Sequence, residues 1–140
     1  MAHKMRCGKG YELTVLGLLT LADFDVYAPL VDDQGIDGII RIHGGDKRLK
    51  YYDLQIKGSK SWNGIRCKVG TLPRNGVLIL FCDGCKEVLW FLQDEAMKLF
   101  PAKDPEWGDI FLSAERVEQF KADNRGDLSH LHQRLFATRA

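Results

Sequence analysis

The chain has 140 residues, enough for one compact domain with one sheet and a few helices, so a single domain over 1–140 is expected. With 45% hydrophobic and 28% charged residues, its composition excludes a disordered chain and a collagen-like repeat. The net charge of +1 excludes a uniformly basic protein, and Cys7, Cys67, Cys82 and Cys85 are not spaced like the disulfide framework of a small secreted domain.

Residues 11–22, led in by Gly8 and Gly10, read as a largely buried helix, because Leu13, Val15, Leu16, Leu18, Leu19 and Leu21 cover most of its surface. Lys4, Arg6 and Lys9 ahead of this apolar run imitate a signal peptide. Glu12, Asp23 and Asp25 at its edges and the lack of a small-residue cleavage site argue against one. No stretch is long enough to span a bilayer, so a cytoplasmic chain without a membrane partner is expected.

Strands are predicted over 24–30, closed by Pro29, over 36–42 and over 49–57, with turns at Asp32 to Gly35 and His43 to Asp46. Residues 58–76 hold four glycines and one proline and read as irregular, with a short strand at 65–69. The continuous apolar run 77–82 reads as a buried strand, Asp83-Gly84 as a hairpin turn and 87–92 as the return strand. A helical turn over 94–100, a strand over 107–112, a helix capped by Ser113 and a last amphipathic helix capped by Asp127 complete the chain, the two helices separated by Asn124-Arg125-Gly126. The order implies an α/β or α+β domain with a central mixed sheet.

Charge is uneven along this order. From Arg41 to Arg74 nine basic residues (Arg41, Lys47, Arg48, Lys50, Lys57, Lys60, Arg66, Lys68 and Arg74) face only Asp46 and Asp53, a local +7. Such a stretch suits either a phosphate-binding face or a solvated surface.

Four polar residues stand where polarity needs a reason. Glu12 interrupts an apolar helix and Asp37 a hydrophobic strand, while Gln55 and Lys57 alternate with Leu54 and Ile56 and so share one face of their strand. Carboxylates from Glu12 and Asp37, the Gln55 side-chain oxygen and the Ile56 carbonyl are the hard oxygen donors that Mg²⁺ takes, with Mn²⁺ as an alternative, and Lys57 supplies charge for a phosphoryl transition state.

The segments Gly8-Lys9-Gly10-Tyr11-Glu12, Gly35-Ile36-Asp37-Gly38 and Leu54-Gln55-Ile56-Lys57-Gly58-Ser59 together resemble the PD-(D/E)XK nuclease superfamily, nearest its small branch of Holliday-junction resolvases and intron-encoded homing endonucleases. The resemblance spans about residues 8–92 and implies a restriction-endonuclease-like α-β-β-β-α-β core with extra C-terminal helices. It implies Glu12, Asp37 and Gln55 around the metal, Lys57 as catalytic lysine, and Mg²⁺-dependent hydrolysis of DNA. Two departures stand out: Gln55 is neutral where many relatives have a carboxylate, and the stretch after Lys57 is glycine-broken where the common core has a helix.

The candidate DNA contacts are Lys47, Arg48, Ser59, Lys60, Trp62, Arg66, Lys68 and Arg74. A homodimer or homotetramer is expected if both strands are cut, with the C-terminal helices as candidate interface. Each residue also has a bland reading: Glu12 as a helix-dipole residue, Asp37 as a turn residue, Lys57 as a surface lysine, Tyr51, Tyr52 and Trp62 as core. Cys82 and Cys85 form a lone CxxC, expected to be two free thiols and not a zinc site. His130 and His132, two apart on a helix, do not share a face as metal ligands would. The rival functions are a non-catalytic DNA-binding module on the same fold and a small structural or interaction protein.

Overall fold

The computed structural model describes residues 2–30, 36–63, 65–67, 76–100, 108–110 and 112–137. The element order is α1 (Ala2–Leu21), β1 (Asp25–Tyr27), β2 (Gly38–His43), β3 (Leu49–Ser59), β4 (Ile65–Cys67), β5 (Gly76–Cys82), β6 (Glu87–Leu92), α2 (Gln93–Leu99), β7 (Gly108–Ile110), α3 (Ala114–Ala122) and α4 (Leu128–Ala137). It is an α+β fold around a five-stranded mixed sheet of order β1-β2-β3-β5-β6, with β4 and β7 forming a two-stranded sheet.

β5 organises the packing. It runs parallel to β3 and antiparallel to β6, and all seven of its residues are buried. Its side chains alternate between two cores. Val77, Ile79 and Phe81 join Val15 and Leu19 of α1 and Leu128, Leu131 and Leu135 of α4. Leu78 and Leu80 join Ala96 of α2 and Val117 and Phe120 of α3 on the opposite face. Burial on both faces is why this strand has an unbroken apolar sequence.

The crossover from β3 to β5 contains β4, and among the described residues it contains no helix. The glycine-rich composition of 58–76 explains this, since glycine in a helix interior costs about 1 kcal/mol relative to alanine. The second face of the sheet is covered instead by α2 and α3, which follow β6.

α1 departs from expectation in two ways. It starts at Ala2 and runs through Gly8 and Gly10, which lie inside it. It is also not buried all round: Val15 and Leu19, one turn apart, point into the core, while Leu13 is 59% and Leu21 84% exposed.

The two C-terminal caps are formed as the sequence implies. Ser113 Oγ accepts the Arg116 N–H at 3.2 Å and Asp127 Oδ1 accepts the Ser129 N–H at 2.8 Å. Between them Asn124 takes a left-handed φ of 63°. The link is fastened to β6 by Trp90, whose Nε1 donates to the Asn124 and Asp127 carbonyls at 3.2 and 3.0 Å. The buried faces of α3 and α4 belong to the two cores.

Predicted strand ends at 68–69, Trp107 and Phe111, and the turn residues Asp32 and Asp33, lie outside the described residues. No helix among the described residues is long and apolar enough to cross a membrane.

Candidate metal and nucleic-acid site

The candidate site sits where β3 runs past the end of β2, keeping β5 on its other side. β2 pairs with β3 from His43↔Leu49 up to Gly38↔Leu54, whereas β3 runs on to Ser59. The Asp37 N–H donates to the Leu54 carbonyl at 2.9 Å, closing the ladder. Its carboxylate then takes the place of the missing strand: Oδ2 accepts the Ile56 N–H at 2.7 Å. In an extended strand the N–H and C=O of one residue face the same side, so the Ile56 carbonyl also faces this open edge.

Two glycines let α1 settle beside that edge. A Cβ on Gly58 would lie 2.5 Å from Cδ2 and 2.8 Å from Cγ of Tyr11, and one on Gly38 would lie 3.0 Å from Leu16 Cδ2. The Tyr11 ring therefore rests on the Gly58 backbone, with Phe81 edge-on at 5.7 Å. Glu12, the next residue, is thereby brought beside Asp37, close enough to raise its pKa. Glu12 lies in the middle of α1, beyond the first turn where a helix dipole acts, so the dipole reading does not account for it. It pairs with Lys9 at 3.4 Å.

The electrostatics follow from this placement. Asp37 is half-buried and its pKa is pushed up to about 6, first by burial and then by the neighbouring Glu12 carboxyl. The Ile56 N–H and the Lys57 charge act in the opposite direction. Lys57 is half-buried two residues beyond Gln55, which is 9% exposed. Because Leu54 and Ile56 point into the α1 core, Gln55 and Lys57 point to the other face.

The sequence-predicted residues thus divide. Glu12, Asp37, Ile56 and Lys57 meet at one edge, with Gln55 adjacent in the chain. Ser59 and Lys60 follow directly. Their carbonyls accept the Asp83 and Gly84 N–H groups at 2.8 and 2.9 Å, which ties the end of β3 to the β5–β6 turn. Trp62 is half-buried and packs against the second core. Arg66 lies in β4, while Lys68 and Arg74 lie outside the described residues. Lys47 and Arg48 occupy the β2–β3 turn, at the far end of β3 from Lys57. At about 3.3 Å per residue, that is roughly 26 Å or more away, so they share no phosphate with the site.

Elsewhere, Cys7, Cys82 and Cys85 are in no disulfide, and the Cys82 thiol donates to the Lys60 carbonyl at 3.5 Å. His132 packs on Phe24, ring centres 5.0 Å apart. Tyr51 is exposed, whereas Tyr52 packs against the first core.

A hard divalent cation fits these donors. Two carboxyl groups crowd one another beside a backbone carbonyl, all offering oxygen. Among the described residues no three His, Cys, Asp or Glu side chains converge on one point. Among the described residues, any protein ligand beyond Glu12 and Asp37 would therefore be a neutral oxygen.

No sequence family matches the chain, and no curated protein matches it. Among solved structures, the bacterial homing endonuclease I-Ssp6803I is similar, with a TM-score of 0.56 over 89% of this chain and 89% of that one. At 13% sequence identity, the likeness shows a shared fold.

Proposed function

We propose that the chain is a metal-dependent DNA endonuclease that hydrolyses phosphodiester bonds at Glu12, Asp37, Gln55 and Lys57. The observation that carries this reading is the crowding of Asp37 by Glu12, with Lys57 alongside, at the open edge of β3. Burial and the neighbouring Glu12 raise the Asp37 pKa to about 6, so a cation beside the two groups would favour the ionised carboxylate. Mg²⁺, or Mn²⁺ in its place, supplies that charge when bound, polarises the phosphate and acidifies water.

In this reading Glu12, Asp37, the Gln55 side-chain oxygen and the Ile56 carbonyl would hold the ion, and the Ile56 N–H holds Asp37 in place. Lys57 places positive charge against the phosphate as negative charge grows in the transition state. Ser59, Lys60, Trp62, Arg66, Lys68 and Arg74 extend the phosphate-contacting surface from the end of β3. Lys47 and Arg48 reach only flanking DNA. The structural neighbour is named as a homing endonuclease, and its fold supports carrying that class of activity to this chain. The unit is one domain over 1–140, cytoplasmic and homo-oligomeric.

The neutral, buried Gln55 favours a second reading, a DNA-binding module on the same fold that holds metal too weakly to cut. Supercoiled plasmid and branched DNA incubated with Mg²⁺ or Mn²⁺ separate the two. The first reading predicts cleavage by the wild type, lost in Lys57→Ala while DNA binding survives. Metal-independent binding without cleavage supports the second.

A further inference from the structure

We propose that the exposed face of α1 pairs with the same face of a second copy of this chain, the two helices antiparallel about a two-fold axis at Gly17. A two-fold interface must be complementary to itself, and this face has that property in its sequence. Counting outward from Gly17, Leu13 matches Leu21 and Thr14 matches Thr20. All five positions are exposed and lie on the side of α1 opposite Val15 and Leu19, the two residues it buries.

The face is apolar in substance. No charged residue occurs from Leu13 to Leu21. The Thr14 and Thr20 hydroxyls donate to the Gly10 and Leu16 carbonyls of their own helix, both at 2.8 Å, and so their polarity is already satisfied. Gly17, with nothing within 4 Å of where its Cβ would stand, is not needed by the monomer. At a helix crossing, its missing side chain allows close backbone approach.

The matched positions fix the direction: antiparallel pairing sets Leu13 of one copy level with Leu21 of the other, and Thr14 with Thr20.

The pairing leaves the proposed catalytic edge open. Glu12 is five residues from Gly17, about 140° around the helix, so it points away from the interface. The two copies of Glu12 would stand about 15 Å apart along the helix axes. This consequence rests on the nuclease reading; the pairing itself is tested without DNA or metal.

The test is sedimentation equilibrium of the full chain at micromolar concentrations. The proposal predicts a wild-type dimer and, for Gly17→Glu, dimerisation weakened at least roughly 100-fold, because two like charges would be buried at the axis. The circular dichroism spectrum of Gly17→Glu should match the wild type, since the side chain enters open space. Under oxidation Gly17→Cys should cross-link to its copy beyond the background of the native thiols. Gly10→Cys should not, being about 21 Å from its copy along the axes. A monomeric wild type, a Gly17→Glu variant that dimerises normally, or equal cross-linking through position 10 would overturn the proposal.

Discussion

The Asp37 carboxylate accepts the Ile56 N–H at 2.7 Å, at the point where β3 runs past β2 and its β2-side edge is left open. One side chain thus substitutes for a strand and, in the same position, meets Glu12. This double use predicts a separation of roles. Asp37→Asn keeps an oxygen for the Ile56 N–H and removes the charge. It should fold like the wild type while metal-dependent cleavage falls roughly 100-fold or more, since even partners that only orient a ligand cost up to that much. Parallel thermal melts and plasmid nicking rates check both halves.

The raised pKa of Asp37 sets a pH dependence. A carboxyl whose folded pKa exceeds its unfolded value gives stability that is fully present below the unfolded value and is lost as pH rises through the folded one. For Asp37 that window runs from about 4 to about 6. The metal-free protein should therefore lose this contribution between those pH values, and Asp37→Asn should not. Mg²⁺ competes with the proton, so its apparent affinity should climb through pH 6 and its stabilising effect should be larger at pH 7.5 than at pH 5. Melting temperatures with and without Mg²⁺ at the two pH values measure this.

Gly58 is predicted to be a positioning residue for α1. Its missing side chain is the seat of the Tyr11 ring. Gly58→Ala should destabilise the fold by about 1–3 kcal/mol by overpacking, and should slow cleavage by moving Glu12 away from Asp37. A Tyr11→Leu background should recover part of the loss. Additive effects in the double-mutant cycle would contradict direct contact as the cause.

On the opposite side of the protein, Arg125 joins three elements. It donates to both Glu95 oxygens and lies over the Trp90 ring at 4.6 Å. The Arg125 guanidinium holds the Glu95 pKa below its usual value. Both side chains are mostly buried, at 16% and 20% exposure. Arg125→Ala should cost about 2–3 kcal/mol in urea unfolding and leave DNA cleavage per folded molecule unchanged. Because Glu95 is depressed, its contribution should be present above pH 4.5 and fade as pH falls below that value.

What the sequence disclosed followed from how local the signal was. The β5–β6 hairpin, the Ser113 cap and the Asp127 cap each rest on a few adjacent residues, and each forms where the sequence places it. Asp37 and Lys57 stood out because polar residues inside apolar strands need a reason. Gly38 and Gly58 did not, because their role is to admit α1 from another part of the chain. For α1, leucine content alone does not tell a buried face from an exposed one. Lys47 and Lys57 share a basic segment in sequence, yet an extended strand carries them to opposite ends of the sheet.

The most direct test of the central claim is nicking of supercoiled plasmid in Mg²⁺ at pH 7.5 by the wild type and by Asp37→Asn, with DNA affinity measured on the same preparations. Metal-dependent cleavage by the wild type, lost in the variant at equal DNA affinity, is the predicted result. A variant that cuts at the wild-type rate, or a wild type that cuts equally well in EDTA, would contradict it.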